Sequence, residues 1–360
     1  MTHPIISYDQ FIYDLTNELI IKPNYQTFNL CISGGGMAAM YSAGIIDFLQ
    51  NLHHSKKINI NNIYCTSSGA IAGLFLIWLL NNDKYPLQQK VSVNDFVYYV
   101  NNDLTSAYES NPYGTENCIE YITNTIPSDL YTYCSDKLFI TIHIRENFVF
   151  KQKIIHTYIS NEHLINAIKC SGTIPFITVN KFSTQYIDYN QKLPNVFDAF
   201  DGIYPTIINN NSYPILNINL MNHSMPLLER IRINPNKSGY DLIVFEGIYD
   251  INKFFYELNG SDDKDDKDDK NIKNIKNTIS FTKPEAEAEN KQIINLSTNS
   301  TNSTNSTNST NSTNSTNSTN STNSTNSTNS KYDKYMYLLY GLGGISTLYY
   351  LFNFTKIYSK

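Results

Sequence analysis

Metal-ligand spacing is missing from this chain of 360 residues. Its five cysteines, Cys31, Cys65, Cys118, Cys134 and Cys170, are odd in number and form no C-x-x-C pair. His53-His54 and His143 have no partner at a useful spacing either, so no metal site is expected. Dense basic clusters are also missing: 27 Lys and Arg face 32 Asp and Glu, a net charge of −5. That excludes a nucleic-acid footprint. Neither Gly-x-Gly-x-x-Gly nor a P-loop Gly-Lys-Ser/Thr occurs. Those absences argue against a nucleotide-binding turn. Met1-Thr2-His3-Pro4 opens no basic segment followed by an apolar stretch, so no secretory signal is expected. Cys31 and Cys65 sit in apolar runs and read as buried small hydrophobes in a reducing compartment.

Composition divides the chain. A lead-in covers residues 1–24 and a globular part covers 25–258. Residues 259–296 begin with an Asp-Asp-Lys repeat, Asp262 to Lys270, that has no apolar residue to bury. Such a segment cannot offset its ordering entropy and is expected to be a charged, disordered linker. From Ser297 to Ser330 the chain repeats Ser-Thr-Asn, a flexible tether by composition. The repeat places a glycosylation sequon at every third residue, but without a secretory signal it reads as a cytosolic leash. Tyr335 to Phe354 then runs without a charge, between Lys334 and Lys356. At ~1.5 Å per residue this stretch matches a hydrocarbon core of ~30 Å, with tyrosines at both ends for the interfaces. It is expected to be a single-pass tail anchor that leaves the rest of the chain on the cytosolic side.

The globular part carries two glycine-framed turns. The apolar run Phe28-Asn29-Leu30-Cys31-Ile32 ends in Ser33-Gly34-Gly35-Gly36. The run Ile60 to Cys65 ends in Thr66-Ser67-Ser68-Gly69-Ala70 and enters an apolar stretch, Ile71 to Leu80. Both read as strand, sharp turn, helix. A serine on such a turn is lifted above the sheet, with a helix N-terminus beneath it to favour developing negative charge. Ser67 is the candidate nucleophile, because Gly69 falls two positions after it; Ser68 is the rival hydroxyl. Gly34, Gly35 and Gly36, with the N–H of Met37, offer bare amides for an oxyanion. Asp201-Gly202 supplies a carboxylate on a tight turn, a candidate general base.

Taken in order, the glycine triplet, the serine elbow, Ala167 to Phe176 with its Ile174-Pro175, and Asp201-Gly202 resemble the patatin-like phospholipases over roughly residues 25–258. The resemblance implies a three-layer α/β/α domain with a mainly parallel central sheet. It implies a lipid acyl hydrolase working through a Ser67–Asp201 dyad on a membrane phospholipid or another acyl lipid, without metal or cofactor. Cys65 stands where the family has the first elbow glycine, Ala38 and Ala39 follow Met37 where the family has a cation and a glycine, and Ile203 follows Gly202. Two alternatives stay open here: a membrane-tethered, lipid-binding scaffold without turnover, and a Ser–Asp–His esterase using His223.

Overall fold

The computed structural model describes residues 9–104, 114–175, 178–189, 194–208, 213–225, 240–260, 275 and 277–282. The chain divides into two units, Met1–Asn290 and Lys291–Lys360, and every described residue lies in the first. The Ser-Thr-Asn repeat and the expected anchor at Tyr335 to Phe354 lie outside the described residues. Among the described residues no helix is long and apolar enough to cross a membrane.

The elements run α1 (Asp9–Glu18), β1 (Thr27–Ile32), α2 (Ala39–His54), β2 (Asn59–Cys65), α3 (Ser68–Leu80), α4 (Val93–Tyr98), α5 (Gly114–Thr125), α6 (Leu130–Cys134), β3 (Leu138–Glu146), β4 (Val149–Ile155), α7 (Asn161–Ser171), β5 (Thr184–Asp188), β6 (Asn195–Asp201), β7 (Ile215–Ile218), α8 (Tyr240–Gly260) and β8 (Ile279–Thr282). The strands form one eight-stranded sheet. β7, β1, β2 and β3 pair in parallel, as helical crossovers between consecutive strands require. β4, β5, β6 and β8 all join in antiparallel fashion. The expectation of a mainly parallel sheet is therefore corrected to a mixed sheet, parallel at its centre and antiparallel on both sides. The α/β class stands. Part of the cause is local: the turn at Asn147–Phe148 is too short for a crossover, so β4 must come back antiparallel.

One face of the sheet carries Leu30, Ile32, Ile63, Cys65, Leu138, Ile140, Leu216 and Ile218, all within the main hydrophobic core. α3 lies directly on it. A Cβ on Gly73 would stand 2.8 Å from Leu138 and 3.2 Å from Ile63. α3 is apolar nearly all round because it is buried nearly all round. Of the three layers expected, the described residues establish the sheet and this helical layer. A second correction concerns residues 259–296. Ile279–Thr282, within the stretch read as a disordered linker, pairs with β7 from Ile215 to Ile218 as an edge strand. The apolar residues Ile279 and Phe281 alternate with polar ones, and Ile279 and the half-buried Phe281 turn into the core.

α2 and α8 cross so closely that their backbones meet. A Cβ on Gly44 would lie 1.9 Å from the Val244 carbonyl oxygen, and one on Gly247 would lie 2.1 Å from that of Tyr41. Alanine within a helix ordinarily stabilises by ~1 kcal/mol over glycine. Here the sign reverses. Gly247→Ala is expected to lower stability by about 1–3 kcal/mol, because the helices must move apart. A thermal melt that leaves the midpoint unchanged would refute this close approach.

Candidate active site

β2 delivers Ser67 to a strained turn. Ser67 has φ 55° and ψ −134°, a region that side chains avoid and that typically costs ~1–3 kcal/mol. Several contacts over-determine it. The Ser67 N–H donates to Ser171 Oγ at 2.8 Å, and Ser171 Oγ donates to the Thr141 carbonyl at 2.8 Å. Thr66 Oγ1 donates to the same carbonyl at 3.2 Å. Gly69 leaves no space beside the elbow: a Cβ there would fall 2.5 Å from the Ile32 carbonyl oxygen. Cys65 itself is not strained. It is the last residue of β2, and its thiol is buried and donates to the Phe139 carbonyl at 3.6 Å. Burial pushes that thiol well above its usual range, which suits a packing group and not a reactive one.

The sheet itself brings Asp201 to Ser67. Ile140 pairs with Cys65 on one side and Ile155 on the other, while Ile142 pairs with Asp201 and Lys153. β2 and β6 therefore share the edge of β3 opposite β4. One is parallel to β3 and the other antiparallel, so they run head-on and stop one residue short of meeting. Thr66 and Gly202 fill that gap at Thr141, next to Ser67 and Asp201. Gly202 is required there, since a Cβ would lie 2.1 Å from the Thr141 carbonyl oxygen.

Asp201 is only 6% exposed. The Ser67 side chain lies near enough to this carboxylate to favour its charged form. The Ile203 N–H donates to Oδ1 at 2.7 Å. His143 Nδ1 donates to the Asp201 carbonyl at 2.8 Å. Burial pushes the Asp201 carboxyl up to about 6, against the opposing pull of Ser67, Ile203 and His143. Ile203 has φ 60°, an unusual value for a β-branched residue, so both arms of the site carry backbone strain.

The glycine turn packs against the elbow. A Cβ on Gly34 would stand 2.7 Å from Ser67 Cβ and 3.2 Å from its Oγ. Gly36 has φ 58° and is exposed, and Met37 is half-buried. Of the four expected donors, Gly35 is placed differently: its N–H donates to Ser68 Oγ at 3.0 Å. That contact gives the rival hydroxyl a place in the elbow's framework. Ser33 Oγ accepts from the Leu220 N–H at 2.8 Å and so fastens the turn from the other side.

His223 is not brought to the pair. Its ring lies 4.6 Å from that of Tyr41, its Nδ1 accepts from the Met225 N–H, and its Nε2 stands 3.6 Å from Glu246. The histidine beside Asp201 is His143, which sequence reading passed over for want of metal partners. Ser171 and Thr141 were also missed as supports. The signal for Ser171 was present in the small-residue end of α7, Cys170-Ser171-Gly172. An apolar slit with room for no more than one water (about 10 Å³) starts beside the turn and the elbow, between Ala39, Ala43, Ile71, Ala72 and Phe75. A cavity of about 390 Å³ between α5 and α7 is lined by none of the site residues.

A strained serine elbow, a buried carboxylate and a glycine turn thus come together at one place on an α/β sheet. Residues 30–202 match the family model Patatin, the patatin-like phospholipases, and the chain carries a domain of that family over this segment. The resemblance drawn from the four motifs is thus shown over this segment. No curated protein matches the chain.

Proposed function

We propose that this chain hydrolyses fatty-acyl esters of phospholipids through Ser67 and Asp201. The observation that carries the reading is the head-on approach of β2 and β6 along β3, which sets the strained Ser67 beside the buried Asp201 carboxyl. Ser67 Oγ attacks the acyl carbonyl and its proton passes to Asp201. Amides at Gly34, Gly36 and Met37, with the N–H of Ser68 at the start of α3, receive the oxyanion. The alcohol leaves with the proton returned from Asp201. Asp201 then takes a proton from water, whose hydroxide attacks the acyl-enzyme and releases the fatty acid. Residues Tyr335 to Phe354, outside the described part, would anchor the domain to its substrate membrane from the cytosolic side.

The test is fatty-acid release from mixed phospholipid vesicles by the full chain in chelator, paired with fluorophosphonate labelling of Ser67. Release and labelling together support the hydrolase. A folded chain that does neither overturns it in favour of a lipid-binding scaffold. His223→Ala is expected to leave release within about twofold, because its ring faces Tyr41 and Glu246. Loss of activity there would restore the Ser–Asp–His reading.

A further inference from the structure

The tip of the β3–β4 hairpin, Asn147 to Val149, is used by neither the core nor the catalytic pair. β3 continues from Ile140, level with the last residue of β2, to Glu146. At ~3.3 Å per residue its last six residues reach about 20 Å beyond the end of β2, with β6 paired alongside. At its tip Asn147 has φ 51° and Phe148 has φ 64°. A two-residue turn with both φ values positive favours Asn followed by Gly. Asn147 obeys this and Phe148 does not. Phe148 is also 92% exposed, and Val149 beside it is 55% exposed. A bulky aromatic thus stands in a backbone conformation that disfavours it, with no packing in return.

Apolar surface continues from the tip toward the site. Phe150 and Phe182, both partly exposed, pack edge-on against Phe200 at 5.2 and 5.6 Å between ring centres. Phe200 precedes Asp201, and the exposed Tyr204 follows Ile203. The charges around the hairpin are matched in pairs: Arg145 with Asp198, Lys151 with Glu146, Lys153 with Asp188.

We propose that this hairpin tip inserts into the surface of a phospholipid bilayer and holds the Ser67 site against its substrate; the inference rests on the hydrolase reading above. An exposed tip with one aromatic and one branched side chain suits the interfacial layer of a bilayer. The paired charges make apolar burial, not attraction to anionic headgroups, the driving force.

The experiment uses the full chain with Ser67→Ala, so that lipid is not consumed. Phe148→Cys carries an environment-sensitive fluorophore; four native cysteines are buried and Cys118 is half-buried, so the new thiol labels selectively. The probe reports the tip alone, whatever else in the chain meets lipid. Phosphatidylcholine vesicles with brominated lipid should shift its emission to the blue and quench it, alike at low and high salt. A probe that stays in water on vesicle-bound protein overturns the proposal. So does a shift that needs no vesicles and grows with protein concentration, which would mark a contact between copies.

Phe148→Gly, in the catalytically intact chain, supplies the residue the turn prefers and should raise the melting temperature. Release from vesicles at limiting lipid should still fall about tenfold, the loss expected for one buried aromatic. Hydrolysis of a water-soluble short-chain ester should stay within about twofold. Unchanged vesicle hydrolysis sinks the docking role and leaves the hydrolase standing. If no form cleaves any ester, the hydrolase reading has failed and the quenching alone decides the tip.

Discussion

Ser67→Ala is expected to lower fatty-acid release by about 10⁴-fold or more while the protein stays folded. The size follows from the chemistry: without a nucleophile, only positioning and oxyanion stabilisation remain, as in other serine hydrolases stripped of their serine. The elbow adds a second expectation of opposite sign. Ser67 holds φ 55° and ψ −134°, which glycine adopts freely. Ser67→Gly should therefore be as inactive as Ser67→Ala, yet more stable by ~1–2 kcal/mol, a rise of about 2–4 °C per kcal/mol. Alanine keeps the Cβ and so keeps the strain. Release assays with thermal melts on the three forms decide the matter. An active Ser67→Ala protein would transfer the role elsewhere. A Ser67→Gly protein less stable than the parent would mean that the turn is not strained as described.

Much of this site was legible because it is local. Two apolar runs ending in glycine-framed turns, the second opening an apolar helix, locate the elbow and the glycine turn from a few neighbouring residues each. Asp201-Gly202 was legible as a turn, but its approach to Ser67 was not. That approach depends on β6 running antiparallel to β3 and ending where β2 ends, and the two-residue period of a strand says nothing about its direction. Ser171 was hidden for a related reason: its partners Ser67 and Thr141 lie far away in the chain and meet it only through the sheet. Ile279–Thr282 was masked by its surroundings, four residues of alternating polarity inside a charged stretch. It gains order from the free edge of β7, not from its own composition. Gly35 shows the limit even of a good motif. The triplet predicted donors, but the direction of each N–H depends on which hydroxyl the elbow presents to it.

Asp201→Asn should abolish release as thoroughly as loss of the serine, and it should make the protein more stable at neutral pH. Both effects come from one buried carboxyl. Its pKa rises from 3.8 to about 6 on folding, chiefly by burial. The folded state therefore binds this proton more tightly than the unfolded chain does. The stabilisation it contributes is complete below about pH 3.8 and is lost as the pH rises through about 6. At pH 7 the ionised group then costs about 3 kcal/mol relative to a neutral one. Asparagine fills the same volume and still accepts from the Ile203 N–H, so it removes that cost. Its advantage in melting temperature should shrink as the pH falls from 7 toward 4. Activity runs the other way, because only the carboxylate can take the Ser67 proton. The parent's kcat/KM should fall about tenfold per pH unit below about 6, while its fold grows firmer over the same range. A flat rate profile through pH 6, or an active Asp201→Asn protein, removes Asp201 as the base. A parent and variant that melt alike at every pH would show that the carboxyl is not buried in its charged form. The opposition itself identifies the group: a merely structural carboxylate, held by salt bridges, would lose stability in acid instead of gaining it.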